Sequence, residues 1–184
     1  RKGWERLYGA GRLAREQLRT ARPGEASPAV LEMVAVAKAN FMERMDDLQY
    51  DGLVLYQATA YARFGADALK LCAFLRLKPA DRVVELGSGT GVICVLGERK
   101  TGARFTGVEQ QARLVELAQK SARQNGQAIR FLEADAAKAP DLLGRGAFTA
   151  AVMNPPYFTN GEPSPNPSVA AARHDAARVR EVFL

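Results

Sequence analysis

The sequence predicts an α/β fold, a parallel sheet with helices on both faces, and three observations carry that expectation. From residue 82 onward short apolar stretches of strand length alternate with helical stretches. The first of these strands, RVVEL (82–86), runs directly into a glycine-rich turn, GSGTG (87–91). The last, FTAAVM (148–153), stops at Asn-Pro-Pro-Tyr-Phe (154–158). Proline has no N–H to donate and holds the preceding residue extended, so the apolar run must end in a stiff loop that presents carbonyls, one amide side chain and two rings.

With 184 residues the chain can bury a sizeable core as one domain carrying an extension. The division expected is a basic helical extension over 1–45 and a catalytic α/β domain over 46–184. No apolar run approaches membrane-spanning length and no stretch reads as a secretory signal, so no membrane partner is expected. Cys72 and Cys94 sit in apolar helical stretches without disulfide or metal spacing, and a single histidine gives no zinc set. The setting expected is reducing and cytoplasmic, without a metal. The net charge of +6 points to a polyanionic partner such as nucleic acid. Seven Lys or Arg fall in residues 1–25 against three Glu, and more follow at Arg99, Lys100, Arg104, Arg113, Lys120, Arg123 and Arg130.

The elements follow in order. Residues 4–19 read as a helix with Trp4, Leu7, Tyr8, Ala14 and Leu18 on one face, weakened by Gly9 and Gly11. RPGEASP (22–28) breaks it. Ser27 then offers an N-cap and Pro28 a first helical position, opening a helix over 28–45 that stacks Val30, Val34, Ala37, Phe41 and Met45. LVLYQ (53–57) is strand-like, and ADALKLCAFL (66–75) is a helix ended near Pro79. Strands are expected at 82–86, 104–109, 129–134 and 148–153, with helices at 91–100 and at 112–125, the latter closed by Gly126. A loop rich in Pro, Asn and Ser covers 159–168.

The chemistry gathers after the strands. In VVELGSGTG the glycines let the backbone turn tightly and let a ligand approach it. A dinucleotide fingerprint would need glycine where Val92 stands, and the absence of GK[ST] excludes a phosphate-binding P-loop. Glu85 precedes the turn, Glu109 ends the second strand and Asp135 follows the third. A carboxylate at the second position suits ribose hydroxyls, and one at the third suits an adenine amino group. Acids without bases disfavour a pyrophosphate, so S-adenosylmethionine fits. Right-handed crossovers give the strand order 3-2-1-4. The glycine turn and the Asn-Pro-Pro loop then share the switch point where open α/β sheets bind ligands.

Here the chain resembles the class I, Rossmann-like S-adenosylmethionine-dependent methyltransferases with an NPPY motif, most closely the tRNA (adenine-N6)-methyltransferases that act on valine tRNA. The resemblance runs from about Glu43 to Asp175. It includes ERMDDLQYDGLVLYQ (43–57), FGADALKLCAFL (64–75), VVELGSGTGVI (83–93), TGVEQQARLVELA (106–118), EAD (133–135), NPPYF (154–158) and AARHD (171–175). It implies that Glu85, Gly87, Ser88, Gly89, Gly91, Glu109, Asp135, Ala136 and Asn154 bind the cofactor, whose product is S-adenosylhomocysteine. It implies catalysis by Asn154, Pro155 and Tyr157, and acceptor binding by Pro156, Tyr157, Phe158 and Arg173. Phe64 and Asp67 would border the methionine end or serve helix packing, and His174 is read as structural. The basic N-terminal helix would grip tRNA or cap the sheet, and a dimer is left open.

The family continues past the ARHD region with another helix and three strands, so the domain is expected to be C-terminally incomplete as it stands. A bare apolar edge on the fourth strand would otherwise result. Competing readings are a protein glutamine methyltransferase, adenine methylation in DNA or ribosomal RNA, a catalytically inactive RNA-binding module, and a nicotinamide oxidoreductase disfavoured by Val92 and NPPY.

Overall fold

The computed structural model describes residues 28, 42–59, 61–155 and 170. The predicted helix 4–19 and the loop 159–168 lie outside them. The chain divides into two compact units, one made of 1–43 with 58–60 and the other of 44–57 with 61–184. Of the first unit only Pro28, which is helical, Met42, Glu43, Ala58 and Thr59 are described. Everything that follows concerns the second.

β1 (Glu43–Asp47) and β2 (Val54–Ala58) form a two-stranded sheet. Their connection is far too short for a parallel crossover, so they make a hairpin, closed by the bond from the Leu48 N–H to the Leu53 carbonyl at 2.9 Å. This corrects the helix expected over 28–45: its last residues, including Met45, belong to β1. The reason lies across the turn, where β2 buries Leu55 and Gln57 and offers β1 a ladder. Tertiary pairing outweighs the weak helical preference of ERM.

α1 (Ala66–Phe74) stops before Pro79. Its last carbonyls are taken by two cations: Lys100 Nζ donates to Cys72 O at 2.8 Å and Ala73 O at 2.7 Å, and Arg76 Nη1 to Ala73 O at 3.0 Å. Positive charge at a helix C-terminus satisfies orphan acceptors and complements the dipole. The alternating part of the chain follows as β3 (Arg82–Leu86), α2 (Val92–Thr101), β4 (Arg104–Glu109), α3 (Ala112–Gln124) and β5 (Arg130–Glu133). A short 3₁₀ turn at Ala136–Lys138 then leads into α4 (Ala139–Leu143) and β6 (Ala150–Met153). The sequence reading missed α4, which is short and carries a proline in its first turn.

The four strands β3 to β6 are parallel in the order β5-β4-β3-β6, as expected. Leu86 stands opposite Val108 on one side and Met153 on the other. One face of the sheet, with Val83, Phe105, Phe131 and Val152, packs on Ala68 and Cys72 of α1, Ile93 and Val95 of α2, and Val115 and Ala118 of α3. The other, with Val84, Leu86 and Val108, is covered by Ala139, Leu143 and Phe148. Each fully buried aliphatic side chain contributes about 1.5–3 kcal/mol. No helix among the described residues is long and apolar enough to cross a membrane.

The hairpin is fastened to α3 by side chains rather than by another strand. The Val54 N–H donates to Asn125 Oδ1 at 2.9 Å, and Asn125 Nδ2 donates back to Val54 O at 2.8 Å. The Tyr56 N–H donates to Ser121 Oγ at 2.9 Å, and Lys120 Nζ stands 4.0 Å from the Tyr56 ring centre. An amide side chain that accepts and donates in this way satisfies both polar groups of Val54, as a neighbouring strand would.

Candidate active site

At the carboxyl end of the sheet the chain leaves β3 through the glycine turn. The Gly87 and Ser88 N–H groups both donate to Val108 O, at 2.9 and 3.0 Å, which ties the turn to β4. Gly87, Gly89 and Gly91 take φ of 69°, 55° and 83°, a left-handed backbone that only glycine adopts freely. Their surroundings differ. A Cβ on Gly91 would lie 2.7 Å from the Phe131 ring and 3.1 Å from Ala118 Cβ, whereas one on Gly87 or Gly89 would meet no atom within 4 Å. So Gly91 is needed for packing, and the first two glycines border open space. Ser88 is buried with its Oγ lacking a hydrogen-bond partner.

The carboxylates are held by backbone amides. Glu85, 2% exposed, accepts from the Cys94 N–H at 3.0 Å. That amide is one of the four orphan donors at the start of α2, whose N-cap, Gly91, has no side chain to offer. Glu85 therefore caps the helix from the strand below it, a role invisible in the sequence because it depends on how the turn folds back. Burial pushes its carboxyl up to about 8, opposed by the Cys94 bonds and assisted by the charge of Glu109. Glu109 accepts from the Gly89 N–H and the Gln111 N–H, each at 2.9 Å and each on a different oxygen. Burial raises its pKa too, and the groups that draw it back down are backbone amides. Each oxygen keeps a second lone pair for a ligand.

Asp135, partly exposed, accepts from the Ala137 N–H at 3.1 Å and opens the 3₁₀ turn beside Ala136. Asn154, exposed, and Pro155, partly buried, directly follow Met153. Because Met153 pairs with Leu86, Asn154 leaves the sheet alongside Gly87. The fold thus brings the glycine turn, Glu109, Asp135, Asn154 and Pro155 to one end of the sheet. Pro156, Tyr157, Phe158, Arg173 and His174 lie outside the described residues. Asp67 is exposed in the first turn of α1, and Phe64 packs against the core.

Tyr61 was not expected here. It is half-buried beside Arg113 and Glu116 in the first turns of α3, next to the corner after Glu109, and burial raises its phenol. No local pattern in the sequence announces that placement. Both thiols are buried and free; burial pushes Cys72 up to about 12 and Cys94 well above its usual value, so neither is poised as a nucleophile. Among the described residues no group of three or more His, Cys, Asp or Glu is arranged to hold a metal.

Residues 62–176 match the family described as Methyltransferase small domain. The chain belongs to that family. Among curated relatives of this methyltransferase domain, the tRNA1(Val) (adenine(37)-N6)-methyltransferase of Shewanella amazonensis is 36% identical over 114 residues, which is 59% of this chain and 47% of that protein. A putative protein N5-glutamine methyltransferase of Methanocaldococcus jannaschii is 32% identical over 80 residues, covering 44% of this chain and 39% of that protein. The chain spans about half the length of the tRNA1(Val) relatives it matches. The solved T. thermophilus 16S rRNA N2 G1207 methyltransferase, in complex with AdoMet and guanosine, shares the fold, with a TM-score of 0.53 and 22% identity over 65% of this chain and 34% of that one. A methyltransferase of this fold needs a donor pocket and an acceptor loop side by side, and β3 and β6 are neighbours here.

Proposed function

We propose that the chain carries the catalytic domain, from about residue 46 onward, of an enzyme that moves a methyl group from S-adenosylmethionine to the exocyclic amine of an adenine in tRNA. The observation that carries this reading is the pairing of Leu86 with Met153, which sets the open glycine turn beside Asn154 and Pro155. The Shewanella relative supports the acceptor.

The residues present fit the donor. Gly87 and Gly89 leave free space where a ligand can lie against the backbone. Glu85 and Glu109 place acidic groups, shifted up by burial, where a cationic ligand is favoured. On this reading Glu85, Gly87, Ser88, Gly89 and Gly91 line the amino-acid end, Glu109 holds the ribose, and Asp135 with Ala136 borders the adenine. S-adenosylmethionine, when bound, supplies a methyl group already activated on a sulfonium.

The work left to the chain is orientation. The exocyclic nitrogen of adenine is a poor nucleophile because its lone pair is delocalised into the ring. Asn154 Oδ1 and the Pro155 carbonyl accept its two hydrogens and favour the pyramidal form. Such positioning supplies on the order of 7–11 kcal/mol of a barrier. Tyr157 stacks on the extruded base for about 1–3 kcal/mol, offsetting the few that unstacking costs. Pro156, Phe158 and Arg173 complete the acceptor side.

The test is labelled S-adenosylmethionine with unmodified bulk tRNA, followed by mass spectrometry of the nucleosides. N6-methyladenosine is expected. Label in protein with none in RNA would favour glutamine methylation and overturn the reading. Asn154→Ala is expected to abolish transfer while leaving cofactor affinity within a few-fold; retained turnover would remove Asn154 from the chemistry.

A further inference from the structure

The three central strands share a charge pattern: RVVEL, RFTGVE and RFLE each begin with Arg and carry Glu at or next to the end. Because the strands are parallel and pair in register, this pattern becomes a polarity of the sheet. Glu109 faces Glu133 at the carboxyl end, and Arg82 faces Arg104 at the amino end. Arg130 pairs with Thr106, two residues on from Arg104, so by the alternation of the pleat all three arginines rise from one face. All three are exposed, and among the described residues none of their guanidinium groups has an ion-pair or hydrogen-bond partner.

Like charges opposite one another on a sheet oppose pairing, and nothing nearby neutralises these. The segments leading into the four strands, 75–81, 102–103, 125–129 and 144–149, contain Asp81 as their sole acid. Its carboxylate is already occupied by the Lys78 N–H at 2.7 Å and the Thr149 hydroxyl at 2.9 Å. The same segments add Lys78 and Arg145, the latter 83% exposed with Asp141 no nearer than 4.0 Å. Arg76 and Lys100 do not belong to this group, since they cap α1. A row of extended cations on adjacent strands, about 5 Å apart, matches the repeated charge of a nucleic-acid backbone.

We propose that this amino-end row, Arg82, Arg104 and Arg130 with Lys78 and Arg145 beside it, is a second contact surface for the phosphate backbone of the acceptor RNA, at the opposite end of the sheet from the methyl-transfer site. It rests on the reading of tRNA as acceptor. The two ends are about 16 Å apart, the length of five strand residues, a span that a folded RNA limb bridges while one base reaches the site. The sheet is then bipolar in use: its acidic end takes a cationic donor and its basic end the polyanion.

The experiment measures binding of an unmodified tRNA transcript to the full chain across a series of KCl concentrations, for wild type and for R82Q/R104Q/R130Q. Loss of three phosphate contacts is expected to reduce the slope of log affinity against log salt by about three. KM for tRNA should rise while kcat at saturation, cofactor affinity and Tm stay unchanged. A wild type that methylates tRNA beside a triple variant with an unchanged slope overturns this surface and leaves the proposed reaction standing. A wild type that neither binds nor methylates tRNA overturns both. Should the triple variant fail to fold, R104Q alone decides, with a slope reduced by about one as the expected result and an unchanged slope as the contrary one.

Discussion

Gly89 and Gly91 stand two positions apart with the same left-handed backbone, yet substitution should separate them. Alanine at 91 meets the Phe131 ring and Ala118 as well as the unfavourable φ. Gly91→Ala is therefore expected to cost roughly 2–5 kcal/mol, combining overpacking with backbone strain. Gly89→Ala carries only the strain, about 1–2 kcal/mol, but its methyl enters the space assigned to the cofactor. The expected outcome is a modest fall in Tm with a loss of S-adenosylmethionine affinity of roughly tenfold or more, read by calorimetry on both variants. If cofactor affinity survives in Gly89→Ala, the ligand does not lie over that glycine. At this scale the sequence was informative about residue type and silent about geometry. The three acids and three glycines can be picked out by their order along the chain. That Glu85 is tied to Cys94, and that Gly91 faces a ring rather than a ligand, depends on contacts between distant positions.

Among the elements, the seam between β2 and α3 rests on very few groups. Asn125 alone satisfies both backbone groups of Val54. Asn125→Ala leaves that donor and acceptor half-buried without partners, and the expected loss is roughly 2 kcal/mol. Denaturant unfolding checks the total, and hydrogen exchange checks the place: the Val54 amide should lose protection while Tyr56, still bonded to Ser121, keeps more of its own. Equal protection at both positions would mean that the seam does not depend on Asn125. This seam also explains an error of reading. β1 is almost wholly exposed, so its residues carry no strand periodicity, and only the partner across the turn makes them a strand. The sheet strands, by contrast, are buried on both faces and announce themselves as continuous apolar runs.

For the whole molecule, the buried carboxyl of Glu85 links stability to pH. Its folded value of about 8 lies above the ordinary 4.5, so the folded chain binds a proton that the unfolded chain has released. The sign follows: this contribution is fully present below about 4.5 and is lost as pH rises through about 8. Tm of the cofactor-free protein is expected to fall between about pH 5 and 9, and Glu85→Gln should flatten that fall. An identical decline in both proteins would place the titration elsewhere. The fold as a whole was legible because alternation, crossover handedness and the glycine turn all point to one topology. The arginine row was not, since Arg82, Arg104 and Arg130 are scattered in the chain and become neighbours only through register.

Register itself has a visible cause in Phe131. Its ring fills the room that side chains at Gly91 and Gly107 would need, with approaches of 2.7 and 2.5 Å to the positions of those missing Cβ atoms. β5 has only four residues with which to find its place. A slip of one position would turn Phe131 to the opposite face and bring Arg130 or Leu132 to the notch, neither of which fits a slot shaped for a flat ring. The ring acts as a locating pin. It seats Glu133 across from Glu109 and delivers Asp135, four residues further along, to the mouth of the glycine turn.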